Sequence, residues 1–181
     1  MSGAEDDGLA ARAGQVAINL FRGYGYTFYR VENDLRADDQ RIRRMVSELL
    51  QQARKALSEA EGRYRREMIP PPSRAQPFPP ADLVANAKRL EALAQTISAL
   101  DAQVAHMPVP GNDFMTARYR TEADTLCRLS EVDVDLVADA HALAQAVPGD
   151  DPVLILEQAP AIAATIARIK DRIAQRQAML L

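Results

Sequence analysis

The sequence predicts an all-α protein: an antiparallel helical bundle of about four main helices, with one long N-terminal helix and a proline-rich connector. Three observations indicate this fold. Apolar residues recur at three- and four-residue steps over most of the 181-residue chain, which is the period of a helix packed on one face. The apolar residues are mainly alanine, leucine, isoleucine and valine, and only 5% of the chain is aromatic. The alternation typical of a strand is confined to VDVDLV at 132–137, inside a helical pattern.

The first main element is a long helix, predicted from about Tyr26 to Met68, a span with no proline and with Gly62 as its only glycine. At the helical rise it would be about 60 Å long and would exceed its neighbours. We therefore expect part of it to project, with its apolar stripe covered by the N-terminal segment, a second copy or another protein. The predicted stripe is Ile42, Val46, Leu49, Ala53, Ala56 and Ala60.

A proline-rich stretch, IPPPSRAQPFPP at 69–80, follows the long helix and contains six prolines. Prolines at this density cannot continue a helix, so the stretch predicts an extended, polyproline-like connector. It divides the chain into an N-terminal helical hairpin at 1–68, in which a shorter helix near Leu9 to Phe21 precedes the long helix, then the linker at 69–80, and a three-helix segment at 81–181 that packs with the long helix into one bundle. Arg74, Pro77 and Pro80 fit an Arg-x-x-Pro-x-x-Pro ligand pattern, although a spacer accounts for the same composition.

Three further helices are predicted after the connector. The second main helix opens after Pro80, the third runs from about Asp113 to Val147, and the last begins at Pro152. Pro160 removes one backbone hydrogen bond and predicts a kink or a break in the last helix. Short connections between these helices favour antiparallel neighbours. The predicted seams are Leu83, Leu90, Leu93, Ile97, Leu100, Val104 and Met107; then Leu126, Leu129, Leu136, Ala140, Leu143 and Val147; then Ile162, Ile166, Ile169, Ile173 and Leu180.

Composition narrows the classes of partner. A net charge of -3 and a pI near 5.5 disfavour a general nucleic-acid binder.

The single cysteine, Cys127, cannot form an internal disulfide, and with two separated histidines it cannot build a structural zinc site. We read it as a buried thiol. No stretch of signal-peptide or membrane-span character was found, so we expect a cytoplasmic protein without membrane or nucleic-acid partners and without a cofactor or metal.

An aromatic cluster precedes the long helix: five of the nine aromatic residues lie between Phe21 and Tyr29. Part of this cluster steps at helical spacing and suits a core. Tyr26 and Tyr29 point elsewhere and are followed by Arg30, and tyrosine with arginine is the composition of protein interaction hot spots. We predict a contact with another protein or a second copy that is anchored on Tyr26, Tyr29 and Arg30.

His141 lies in LVADAHALAQAV, a stretch that resembles the active helix of histidine phosphotransfer domains, which are helical bundles with one exposed histidine. Leu143 matches the family, whereas Ala144 and Gln145 stand where the family has lysine and glycine. The resemblance covers about four residues. It implies that His141 would accept a phosphoryl group.

Function is predicted from these features together. The chain has no phosphate-binding glycine loop and no nucleophile elbow. The leading hypothesis is a non-enzymatic cytoplasmic accessory, adaptor or assembly protein that acts through protein contacts and self-associates. The alternatives are a phosphorelay bundle that uses His141, and a bundle that binds a small molecule or a metal between its helices.

Overall fold

The computed structural model describes residues 35–74, 76–107, 123–147 and 151–180, and within these ranges all regular secondary structure is helical. The helices pack against one another, which confirms the predicted all-α bundle. They are α1 (Leu35–Met68), α2 (Ala81–Ala105), α3 (Ala123–Ala146) and α4 (Pro152–Leu180).

The bundle consists of two hairpins, α1–α2 and α3–α4, and the most extensive contacts lie within each hairpin. Between hairpins, α1 packs mainly on α3 and α2 packs on α4. In the first hairpin Arg43 Nη1 donates to the carbonyl of Ala105 at 3.2 Å, and Arg65 near the other end of α1 contacts Glu91. Early residues of α1 therefore face late residues of α2, so the pair is antiparallel as predicted.

The buried stripe of α1 differs by one position from the predicted stripe. Leu50, Leu57 and Tyr64 are buried, whereas Leu49 and Ala56 are only partly buried. Because α1 packs on both α2 and α3, the face between those two helices becomes its core face. Leu50 and Leu57 lie on that face, about 100° around the helix from Leu49 and Ala56. The other predicted members are buried as expected: Ile42, Val46, Ala53 and Ala60.

The expectation that α1 carries an uncovered stripe is not met in the described range. Its apolar face is buried within the single chain from Ile42 to Tyr64. With 34 residues α1 is the longest described helix, about 51 Å at the helical rise. Within the described range this face is covered by α2 and α3.

The described seam residues of the other three helices belong to the rest of the core, as predicted, whereas the side chains of Leu126 and Leu180 lie outside the described part. In α2, Leu83 and Leu93 are partly buried and the remaining seam residues are buried. The buried members are Leu90, Ile97, Leu100, Val104 and Met107 in and after α2; Leu129, Leu136, Ala140, Leu143 and Val147 in and after α3; and Ile162, Ile166, Ile169 and Ile173 in α4.

Of the predicted kink or break at Pro160, the break is wrong, because α4 continues through this residue. Pro160 is exposed, so its ring faces solvent and water can satisfy the Leu156 carbonyl that loses its intrahelical donor. Buried Ile155 and Ile162 lie on either side of it and hold both parts of α4 in the same core. The start of α4 is well capped: the N–H of Val153 donates to Asp151 Oδ1 at 2.9 Å.

Candidate functional site

The connector, residues 69–80, displays the most exposed large apolar side chain in the described part of the protein. Phe78 is 80% exposed, and Met68 at the end of α1 is exposed as well. A phenylalanine side chain usually buries a large area in a core or an interface. Pro77 beside it is exposed, while Pro79 is half-buried. Phe78 therefore stands out from a connector whose C-terminal end rests on the bundle.

Local hydrogen bonds give the connector a defined turn instead of an extended course throughout. The N–H of Ser73 donates to the Gln76 carbonyl, and the N–H of Gln76 donates to Ser73 Oγ, both at 3.0 Å. The Ser73 hydroxyl thus provides the local bonding that serine favours in turns. The chain bends again at Pro77 and Phe78. Polyproline geometry is seen at Pro80, with φ -54° and ψ 134°.

This turn changes the interpretation of the proline ligand pattern. Arg74 lies inside the turned segment, and Pro80 lies beyond the bend at Phe78. Arg74, Pro77 and Pro80 are therefore not presented along one continuous polyproline helix, which is the form that proline-binding grooves read. Phe78, at the bend, is the side chain that the geometry presents outward.

The helix ends that carry the connector are joined to each other. Tyr64 in the last turns of α1 is buried, and its hydroxyl accepts a hydrogen bond from Asn86 Nδ2 at 3.2 Å. Arg65 forms ion pairs with Glu61 on its own helix and with Glu91 on α2, the latter at 3.2 Å. The hydrogen bond that Arg65 donates to Glu61, together with the negative charges of Glu61 and Glu91, raises the pKa of the Arg65 guanidinium. These contacts give Phe78 a fixed base.

Positive charge surrounds the connector. We define the hairpin end as residues 61–74 and 76–91, that is, the end of α1, the connector and the start of α2. It contains six Lys or Arg against four Asp or Glu, a balance of +2, although the whole chain has a net charge of -3. The four acids are Glu61, Glu67, Asp82 and Glu91, and the six cations are Arg63, Arg65, Arg66, Arg74, Lys88 and Arg89.

A second polar feature joins α3 to α4 and was missed by sequence reasoning. Arg176 Nε donates to Asp133 Oδ1 at 2.7 Å, and both side chains are 0% exposed. Nearer the surface, Arg172 pairs with Asp135 at 3.0 Å. A third pair joins Arg168 and Asp139 at 2.9 Å. We call the three pairs the ladder, and they follow one edge of the α3–α4 hairpin. The four-residue spacing of its three arginines was the available sequence signal, but it also fits a solvated face.

An open groove of about 230 Å³ lies between α1 and α2. Arg54 and Ser58 line it from α1, and Gln95 and Ser98 line it from α2; all four are exposed. Ala94 forms part of its floor. Its volume would admit a small polar group, but no buried polar side chain points to a ligand class.

The sequence-predicted site residues have different outcomes. Tyr26, Tyr29 and Arg30 lie outside the described residues, so that contact stays a prediction. Cys127 lies in α3, but its side chain is also outside the described part. Within the described ranges, no group of three or more His, Cys, Asp or Glu side chains could hold a metal ion.

His141 is half-buried on α3. The residues one turn away on either side are Val137, Ala138, Ala144 and Gln145, of which only Gln145 is exposed. A phosphoryl group on His141 would need donors for its oxygens, and these four neighbours supply at most one amide. The phosphoacceptor role of His141 stays a prediction.

By length and composition α4 could cross a membrane: its residues Pro152–Met179 include a sufficiently apolar window. In the bundle, 39% of that window is buried. The core helix of a soluble bundle meets the same criterion, and the buried isoleucines of α4 are packed in the shared core.

Comparison with known proteins gives no relative. The chain matches no protein-family model, no curated protein and no solved structure.

Proposed function

We propose that this protein is a non-enzymatic accessory or adaptor that acts by contacting another protein, and that the connector is a contact element. The supporting observation is the 80% exposure of Phe78 on a turn that is held by the paired ends of α1 and α2. Aromatic residues, phenylalanine included, are enriched in the cores of protein interfaces.

A simple spacer accounts less well for this arrangement. Six prolines would already separate α1 from α2, and a spacer gains nothing from a phenylalanine in water. Displaying Phe78 costs the free energy that its burial would contribute, about 1.5–3 kcal/mol for a side chain of this size. That cost is recovered when a partner covers the ring.

The proposed compartment, self-association and assembly role rest on the sequence alone. The single cysteine supports a reducing, cytoplasmic compartment. Self-association and an assembly role rest on Tyr26, Tyr29 and Arg30, which would form a second contact. These residues and Phe78 can be tested separately.

The test is affinity purification from the source cell with wild type and Phe78→Ser. The matched control is Val153→Ser, which removes another exposed apolar side chain, 45% exposed at the start of α4. We expect one specific partner to be lost with Phe78→Ser and retained with the control, with helicity unchanged in both. The proposal would be contradicted if wild type and both variants recovered the same proteins, or if both variants lost the specific partner.

The second contact, at Tyr26, Tyr29 and Arg30, is tested by the variant Tyr26→Ala/Tyr29→Ala in the same purification, with light scattering of the purified variant. Loss of self-association with retained helicity would support the predicted contact. Unfolding of this variant would show that the aromatic residues serve the core.

A further inference from the structure

We infer that the partner of the hairpin end is an acidic protein surface with an apolar pocket that receives Phe78. This inference rests on the proposed function and adds the chemistry of the partner. It is carried by the conformation of the connector, by its backbone chemistry and by the charge around it.

The connector presents one large apolar anchor. Phe78 is the only aromatic residue in 69–80, and it lies at a bend between Pro77 and Pro79. Prolines restrict their own backbone and that of the preceding residue. The ring is therefore displayed with little backbone freedom left to lose, which favours insertion into a preformed pocket. A single ring suits a pocket better than a flat apolar surface, which would need several.

The backbone of the connector excludes one common mode of recognition. Pro77, Pro79 and Pro80 have no N–H, and the N–H groups of Ser73 and Gln76 are already used in the local turn. A partner therefore cannot pair with the connector as an added β-strand, because a strand needs alternating donors. Binding must come from the Phe78 side chain, the proline rings and carbonyl acceptors.

Charge gives the sign of the partner surface. The hairpin end has a balance of +2 in a chain of net charge -3. Arg66 and Arg74 are exposed and lie on either side of the connector's first prolines. Since opposite potentials steer association and like charges oppose it, the surface that meets Phe78 must be acidic around the pocket.

An anionic membrane also attracts basic residues beside an exposed aromatic ring, but it fits less well. Interfacial binding scales with buried apolar area, and here only the Phe78 ring and Met68 would supply it. A shaped protein pocket can enclose a single ring and needs no wider apolar area.

The experiment places the photocrosslinking residue benzoylphenylalanine at position 78 of the full chain. After irradiation in the source cell, mass spectrometry identifies the partner and the peptide that is crosslinked. The same protein is then tested with Arg66→Glu/Arg74→Glu. The matched control is Arg54→Glu/Lys170→Glu, which changes two exposed cations outside the hairpin end by the same total charge.

We expect a crosslink to an apolar segment in an acidic surface of another protein. Its yield should fall at least about tenfold with the hairpin-end charge reversal and stay within about twofold with the control. An undiminished yield after charge reversal, or equal losses in both variants, would overturn the acidic-partner inference while leaving protein contact itself supported. A crosslink only to a second copy would overturn it as well.

Sedimentation with vesicles tests directly whether the hairpin end binds an anionic membrane instead of a protein. The probe is phosphatidylcholine vesicles with about 30% phosphatidylserine, mixed with wild type or Phe78→Ser. We expect no binding by either. Binding that is lost with Phe78→Ser would replace the protein partner with an anionic lipid surface. If no crosslink forms at position 78, the connector is not a contact element and the proposed function loses its support too.

Discussion

The two hairpins of the bundle place their polar contacts at different depths. Between α1 and α2, Ser47 Oγ donates to Asp101 Oδ1 at 2.5 Å, and Gln51 Nε2 donates to the other oxygen of Asp101 at 3.2 Å. These contacts are half-buried or exposed. Between α3 and α4, the innermost contact is the fully buried pair of Asp133 and Arg176. In the described residues, the first hairpin keeps its charged groups at the rim, whereas the second encloses one pair of charges.

The difference has a physical consequence for how each hairpin is specified. A rim contact that is lost can be replaced by water at small cost. A buried charge that loses its partner has no such replacement, so its removal is expensive. We therefore expect the α3–α4 register to depend on one residue pair, whereas the α1–α2 register depends mainly on the fit of its apolar seams.

The strongest test of this comparison is Arg176→Met, which keeps an unbranched apolar side chain and removes the guanidinium that donates to Asp133. Breaking a buried ion pair by removing one partner typically costs about 3–5 kcal/mol. We expect the free energy of unfolding to fall by that amount. Urea denaturation followed by circular dichroism measures it.

Arg168→Met is the control within the same ladder, because the Arg168 side chain is largely exposed. It should cost less than about 1 kcal/mol. Equal losses of unfolding free energy for Arg168→Met and Arg176→Met would show that burial depth does not determine the contribution of each ion pair in the ladder. The double variant Asp133→Leu/Arg176→Met should recover most of the loss, since an apolar pair of similar volume can replace a buried ion pair.

The next effect has the opposite sign and concerns the helix breaker of the second hairpin. Pro160→Ala restores the backbone hydrogen bond to Leu156 at a solvent-facing position, and proline inside a helix costs about 3 kcal/mol relative to alanine. We expect a gain in unfolding free energy of about 1–3 kcal/mol, measured by thermal and urea denaturation. A loss of stability would mean that α4 requires the local geometry that proline imposes.

The rim contact of the first hairpin comes next. Asp101→Ala removes the acceptor of both Ser47 and Gln51 and should cost about 1–2 kcal/mol, because the two donors can turn to water. Ser98→Ala, an exposed change one turn earlier on α2, is the control and should stay within about 0.5 kcal/mol. A cost for Asp101→Ala as large as that of Arg176→Met would remove the distinction between the hairpins.

The smallest expected effect concerns Gly62, which lies within α1. A Cβ there would meet only Arg66 Nη1 at 3.3 Å, the far end of a flexible side chain. Gly62→Ala should therefore stabilise the protein by about 0.5–1 kcal/mol, the helix propensity difference. Destabilisation in urea denaturation would show that the close approach of Arg66 cannot relax.

Several features of the fold were predictable because they depend on local periodicity. Most of the described seam residues of α2, α3 and α4 were predicted, since three-four spacing identifies one face of a helix wherever that face is buried. The connector was predictable because proline excludes helix whatever surrounds it. The exposure of Phe78 was not, because an aromatic residue between prolines can equally fold back onto the bundle.

The stripe of α1 shows where sequence patterns stop being sufficient. Leu49 and Leu50 are adjacent, so the sequence allows either leucine to face the core. Ala56 and Leu57 present the same two alternatives one heptad later. Only the positions of α2 and α3 around α1 made Leu50 and Leu57 the buried pair. Pro160 is the converse case, because its local effect predicted a break that packing on both sides overrode.

The sequence by itself determined that this chain is helical, where its proline connector lies and which faces of three helices are apolar, since these follow from residue chemistry over a few turns. The tertiary structure decided which leucines of α1 enter the core, that Arg176 meets Asp133 across 43 residues, and that Phe78 remains in solvent. Each of these depends on how helices distant in the chain are placed, because burial and ion pairing are properties of neighbours in space.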